Sequence, residues 1–290
     1  MIEIEFNSVN VVVFSDEKKS RFVSGNKYWK LKYNLEVAKT LKKKTLLTFG
    51  GAFSNHIHAV AATGKLFNFD TIGLIRGEII TPLNSTLAFA KEQGMKLIPI
   101  TRQDYRKKNN SDFLKKLESQ FPDAYIIPEG GTNQLAIKGT SEIIDQLPND
   151  FDYICCACGT GGTIAGLIIG ANEKGKVLGF PALKGSFLNG EITTLINDYN
   201  QKSYSNWELI TDYHFGGYGK HKPELIDFIN DFKENHQIQL EPLYTGKMMY
   251  GVFDMIEKGY FPKGSKIVVI HTGGLQGIAG FNQRFGNILK

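Results

Sequence analysis

Tyr153-Ile154-Cys155-Cys156-Ala157-Cys158-Gly159-Thr160-Gly161-Gly162-Thr163-Ile164-Ala165-Gly166 decides the fold class. Tyr153–Cys158 is an apolar run of strand length, as in a sheet buried on both faces. The glycines that follow permit positive φ and close backbone approach, and the threonines add hydroxyl donors. A helical pattern then runs from Thr163 to Glu173. Strand, glycine turn and helix N-terminus in this order make a phosphate cradle, because free N–H groups and the helix dipole both favour an anion. The loop lacks the lysine of a Walker loop and the full G-x-G-x-x-G spacing with an acidic ribose partner. A phosphate-bearing cofactor other than an obvious nucleotide is therefore expected. A simple strand–helix turn and a nucleotide-binding α/β protein are the alternatives. Cys155, Cys156 and Cys158 are too tightly spaced for a usual zinc pair, and read as small buried hydrophobes of a reducing compartment.

Outward from this stretch, short apolar runs recur at Thr45–Phe49, Thr71–Ile75, Lys96–Ile100, Ala124–Ile127, Lys176–Phe180 and Lys266–His271. Helical patterns lie between them at Lys30–Lys42, Asn55–Phe67, Leu83–Gln93, Thr140–Leu147, Pro223–Asn235 and Met248–Lys258. This order predicts an α/β protein with parallel-rich sheets flanked by helices. The chain has 290 residues, 42% of them hydrophobic, enough for a substantial core. A net charge of +5 suits a phosphorylated small molecule and does not argue for nucleic acid. The N-terminus alternates as Met1-Ile2-Glu3-Ile4-Glu5-Phe6 with no signal-peptide pattern, and no apolar segment approaches a membrane span; a cytoplasmic protein is expected.

Further stretches could carry chemistry. Ser24-Gly25-Asn26-Lys27-Tyr28-Trp29-Lys30 leads into a helix, and Lys27 and Lys30 can face one way. A lysine at a helix N-terminus meets the positive end of the dipole, which favours its neutral, nucleophilic form. In Thr48–His56 a strand ends, Gly50 and Gly51 turn the chain, and Ser54 or Asn55 can cap a helix at the sheet edge where ligands bind. Phe215–Gly219 displays Tyr218. Leu243–Lys247 and His271–Gly274 are polar or glycine-rich loops at element ends, and Glu129-Gly130-Gly131-Thr132 reads as structural.

Taken together these segments resemble the pyridoxal 5′-phosphate (PLP) dependent enzymes of the tryptophan synthase β-subunit fold, fold type II. They are most similar to the branch with D-cysteine desulfhydrase and 1-aminocyclopropane-1-carboxylate (ACC) deaminase. The resemblance runs from Ser24 to Gly274 through Gly-Asn-Lys-x-x-Lys-Leu, Gly-Gly-x-x-Ser-Asn-His, Gly-Thr-Gly-Gly-Thr-x-Ala-Gly, Gly-Tyr-Gly, Tyr-Thr-Gly-Lys and His-Thr-Gly-Gly. It implies a small domain over residues 31–139, inserted in a large PLP domain made of residues 1–30 and 140–290, with the active site in the cleft between them. It implies that Lys27 carries PLP as a Schiff base and that Lys30 and the loop Gly159, Thr160, Gly161, Gly162 and Thr163 hold the phosphate. It implies that Asn55 meets the ring hydroxyl oxygen, Thr245 the pyridine nitrogen, and Ser54, Asn55, His56 and Thr272 the substrate. Tyr218 and Tyr244 match active-site tyrosines. A homodimer is also implied.

ACC deaminases carry glutamate where Thr245 stands, which keeps the ring nitrogen protonated; threonine offers only a neutral hydrogen bond. His56 likewise looks like the desulfhydrase branch. Both positions favour a lyase that expels a β-substituent from a small amino acid such as D-cysteine, with Lys27 or Ser54 as base. ACC deaminase, a D-serine-type eliminase, and a PLP carrier or regulatory protein with little catalysis remain alternatives. The chain departs from the family pattern at Ile57-His58-Ala59 and Tyr28-Trp29, which bears on the substrate pocket.

Overall fold

The computed structural model describes residues 1–16, 23 and 25–290. Ser24 lies outside the described residues. The chain opens with β1 (Ile2–Phe6), β2 (Val9–Ser15), α1 (Asn26–Thr40), β3 (Thr45–Gly50), α2 (Asn55–Phe67), β4 (Asp70–Arg76) and α3 (Ser85–Glu92). It continues with β5 (Lys96–Ile100), α4 (Arg102–Tyr105), α5 (Ser111–Gln120), β6 (Ala124–Ile127), α6 (Gln134–Ser141), β7 (Tyr153–Cys158) and α7 (Gly162–Ala171). The last third holds β8 (Lys176–Pro181), α8 (Phe187–Asn200), β9 (Trp207–Leu209), α9 (Pro223–His236), α10 (Thr245–Glu257), β10 (Lys266–His271) and α11 (Gly277–Phe285).

Two sheets result. One has the order β5-β4-β3-β6 and is parallel throughout; the other has the order β1-β2-β10-β7-β8-β9. Its exception to parallel pairing is the β1–β2 hairpin, where Asn7 and Ser8 both take positive φ, as a two-residue turn between twisted strands requires. Both sheets are covered by helices. Val11, Val13, Leu178 and Val269 pack with α9 and α10 on one side of the six-stranded sheet, and Ile154, Cys156 and Ile270 pack with α7 and α8 on the other.

The seven strand runs read from the sequence are all present, with ends moved by a residue at most. Differences have local causes. The pattern at Thr140–Leu147 is in fact α6 at Gln134–Ser141 followed by one 3-10 turn, because Asn133 caps the helix earlier, accepting from the N–H of Ala136 at 2.9 Å. α1 begins at Asn26, not Lys30, which puts Lys27 in its first turn. β2, β9, α4, α5, α8 and α11 were not foreseen.

Two close approaches fix α1. Gly25 has φ 59°, and a Cβ there would sit 2.3 Å from the carbonyl oxygen of Thr272. A Cβ on Gly139 would sit 2.0 Å from the carbonyl oxygen of Trp29. Thus α1 is pressed between α6 and the loop after β10. Gly139→Ala is expected to lower the unfolding free energy by about 1–3 kcal/mol, the usual range for overpacking, read from urea denaturation. An unchanged midpoint would mean that α1 and α6 can part without cost.

Candidate active site

The carboxyl ends of the parallel strands face a common cavity of about 690 Å³, a volume typical of cofactor and ligand sites. Its wall takes Gly51–His56 after β3, Arg76 at the end of β4, Glu129 and Gly130 after β6, Cys158–Gly161 at the end of β7, Leu183 after β8 and Thr272–Gln276 after β10. The first turns of α1 and α7 add Asn26, Lys27, Lys30 and Thr163, and two loops add Tyr218 and Tyr244.

Lys30 is buried, and its ammonium donates to Gly130 O at 3.1 Å and Thr132 Oγ1 at 3.1 Å, and reaches Thr160 Oγ1 at 3.5 Å. Thr132 and Thr160 bond each other at 2.6 Å. These partners are neutral, so burial and the neighbouring Lys27 hold the Lys30 amine well below the ordinary lysine value. Gly161, before the first residue of α7, has φ 78° and no side chain caps that helix. An open helix N-terminus above a buried ammonium lacking a countercharge is a built anion site. Asn26 Nδ2 donates to Thr163 Oγ1 at 3.0 Å and joins α1 to this loop.

Lys27 lies beside this site. Burial lowers its amine to about 8 against a weaker opposing effect of Cys156. Elsewhere on the wall the rings of Tyr218 and Tyr244 meet edge-on with centroids 6.0 Å apart, Tyr244 lying beside Gly159. Burial raises both phenols, that of Tyr244 more strongly. Tyr218 remains 44% exposed. The loop carrying it is tied down by buried Lys247, whose ammonium donates to His214 O at 2.8 Å and Gly217 O at 2.9 Å.

At the start of α2, Ser54 Oγ accepts from the N–H groups of His56 (3.2 Å) and Ile57 (3.3 Å). His56 Nε2 bonds Thr48 Oγ1 at 2.8 Å, and Thr48 donates to Ile127 O at 2.8 Å, so Nε2 carries the ring proton. Burial, with Lys27 and Lys30 nearby, holds His56 well below the ordinary histidine value.

Of the residues singled out in the sequence, Gly162 and Thr245 stand behind the wall instead of on it. Thr245 is the first residue of α10, fully buried, and its Oγ1 accepts from the N–H of Glu241 at 3.0 Å. Glu241 was missed. Its buried carboxylate accepts the N–H groups of Leu243, Tyr244 and Thr245 at 2.7–2.8 Å and caps α10. The Glu129–Thr132 loop is a correction: it forms the wall through Glu129 and Gly130 and binds Lys30 through Thr132. Cys158, Arg76 and Gln276 on the wall were also missed, whereas His58, one of the departures from the family pattern, does reach the wall. Arg76 and Glu129 were findable, since both stand at carboxyl ends of strands.

A family model described as pyridoxal-phosphate dependent enzyme matches residues 8–273. The chain belongs to this family. It is therefore a PLP-dependent enzyme, and the anion site under Lys30 and the buried amine of Lys27 suit a phosphorylated aldehyde. The chain is similar to the mitochondrial bifunctional D-cysteine desulfhydrase/ACC deaminase of Arabidopsis thaliana, with 31% identity covering 94% of this chain and 74% of that one. It is 25% identical to the ACC deaminase of Bradyrhizobium sp. BTAi1, over 91% of this chain and 86% of that one. A crystallised ACC deaminase homologue superposes with a TM-score of 0.85 at 28% identity, covering 98% and 90% of the two chains. A hydrogen sulfide-producing enzyme of Fusobacterium nucleatum shares the fold, with a TM-score of 0.67 at 16% identity, covering 95% of each chain. Among the described residues, no helix is long and apolar enough to cross a membrane.

The Lys27 amine attacks an aldehyde only when neutral. With its value at about 8, attachment of PLP to the cofactor-free protein should speed up as pH rises and level off above about 8. Stopped-flow absorbance reads this directly. A rate still climbing steeply beyond pH 10 would show an unperturbed lysine.

Proposed function

We propose that this enzyme expels the β-substituent of a small amino acid, D-cysteine being the favoured substrate, with pyruvate, ammonia and sulfide as products. The reading places PLP with its phosphate on Lys30, Thr160 and the open end of α7, its aldehyde carbon on Lys27 and its ring oxygen at Asn55. When bound, PLP draws electrons from the Cα of an attached amino acid.

The chain's own groups supply the rest. Lys27 is the base: its lowered amine accepts the Cα proton near neutral pH, whereas both hydrogen bonds to Ser54 Oγ are the cap of α2. Tyr218 and Tyr244 stay neutral and can give a proton to a departing thiolate, Tyr218 having direct contact with water. Thr272 and the Ser54–His56 turn orient the carboxylate, with the Arg76 guanidinium beside Gly51 on the same wall.

One observation carries elimination over ring opening. Among the described residues, the carboxylates beside the cavity are committed to other partners and none is left for a cationic ring nitrogen. Thr245 is neutral, Glu241 accepts three backbone N–H groups, and Glu129 is held by Lys108 at 3.3 Å and by the hydroxyl of Tyr105. A weaker electron sink suits loss of a good leaving group. The names of the relatives support ACC deamination equally.

The same reading divides the chain into residues 31–139 and residues 1–30 with 140–290. Leu31, Leu35 and Ala38 pack with the four-stranded sheet, and Ile143 with the six-stranded one. Ile137 also packs with the latter, so the seam runs through α6.

Purified enzyme is expected to release sulfide and pyruvate from D-cysteine, and Lys27→Ala to lower turnover by at least about 10²–10⁴-fold. Formation of 2-oxobutanoate from ACC without sulfide from D-cysteine would replace elimination by ring opening. Undiminished turnover in Lys27→Ala would remove the lysine from the mechanism.

A further inference from the structure

Asn55 does not face the cavity alone. Gln276, in the turn between β10 and α11, donates from Nε2 to Asn55 Oδ1 at 2.5 Å. Buried Thr86 on α3 donates to Gln276 Oε1 at 2.9 Å. The chain Thr86–Gln276–Asn55 thus joins two helices of the four-stranded sheet to the loop that follows the six-stranded one. A carboxamide has one acceptor end and one donor end. With Oδ1 occupied by Gln276, the Nδ2 donor of Asn55 is left for the opposite side. That side is the cavity at Gly274, where a Cβ would stand 2.7 Å from Nδ2; Gly274 has φ 88° and leaves the space open.

We infer that Gln276 is a positioning residue that holds the Asn55 amide with its N–H₂ end toward the ring oxygen of PLP. This rests on the reading above that Asn55 meets that oxygen. A donor there favours the deprotonated oxygen, so it strengthens PLP binding. It also lowers the pH at which the proton shared by that oxygen and the Lys27 imine nitrogen is lost. Glutamate at 276 offers acceptors only. Asn55 would then turn Nδ2 toward the carboxylate and present Oδ1 to the ring oxygen, acceptor against acceptor.

The experiment is a double-mutant cycle read by absorbance. The visible band of the PLP-loaded protein is titrated with pH, and the dissociation constant of PLP is measured, for Gln276→Glu with Asn55 present and in an Asn55→Ala background. With Asn55 present, Gln276→Glu is expected to move the titration midpoint upward and weaken PLP about tenfold or more. In Asn55→Ala the same substitution should change both quantities little. An equal rise in both backgrounds would show that the new carboxylate acts through its charge, and would overturn the inference; so would no change with Asn55 present. Gln276→Leu, which loses the donor without adding charge, should shift both quantities less but in the same direction. It decides the matter if Gln276→Glu does not fold, and wild-type values there would also overturn the inference. A wild-type protein that gains no visible band with PLP would instead remove the reading of the site on which this rests.

Discussion

The ammonium of Lys30 is buried among neutral partners, and the two sheets meet around it. Gly130 and Thr132 follow β6 of one sheet, Thr160 follows β7 of the other, and one nitrogen holds all three. Burying a charge without a countercharge is costly, and the depressed Lys30 amine expresses that cost. In the proposed site, an arriving phosphate would reverse the sign of the local problem. It meets the ammonium, the two threonine hydroxyls and the uncapped end of α7, and the charged lysine becomes the favoured form. The same contact that joins the sheets therefore prefers the loaded state.

Lys27 is three residues away and, as the proposed base, needs the opposite condition. It must stay easy to deprotonate after phosphate has neutralised its neighbour. The causes of its shift allow this. Its amine is lowered by burial, against a smaller opposing effect of Cys156, and a Lys30 kept charged beside it can only lower it further. One helix turn thus presents a lysine whose state follows the anion and another whose state follows desolvation. Position in α1 makes the division, and α1 is held there by contacts that only Gly25 and Gly139 permit.

The part of this arrangement legible in the sequence is the part built from consecutive residues. β7, its turn and α7 announce an anion loop because strand period, glycine and helix start follow one another directly. Lys27, Ser54 and Asn55 stand at element starts for the same reason. Gln276 and Glu241 carry no such signal. Gln276 matters through Asn55, 221 residues away, and Glu241 through the orphan N–H groups of a helix whose start the sequence left as a loop. The shift of α6 teaches the same lesson in miniature. Thr140–Leu147 has a helical apolar spacing, but Asn133 accepts the N–H of Ala136 and starts the helix six residues upstream, and the cap decided the boundary.

Thr245 shows how burial alters a reading made from residue type alone. Its neutrality survives, yet its hydroxyl oxygen already accepts from Glu241 and its side chain stands behind the wall. The nearest carboxylate belongs to Glu241. Burial pushes it up, while the N–H groups of Leu243, Tyr244 and Thr245 pull it down. Those three bonds fix the start of α10 and, through Lys247 two residues further on, the loop that holds Tyr218. A charge committed to a helix cap cannot also stabilise a pyridinium, because its oxygens are aimed at backbone. The stretch Glu241–Lys247 therefore serves geometry first, placing two tyrosines in the wall of the cavity that Lys27 also lines. In the proposed elimination, the electron demand then falls on a leaving group able to depart with its charge.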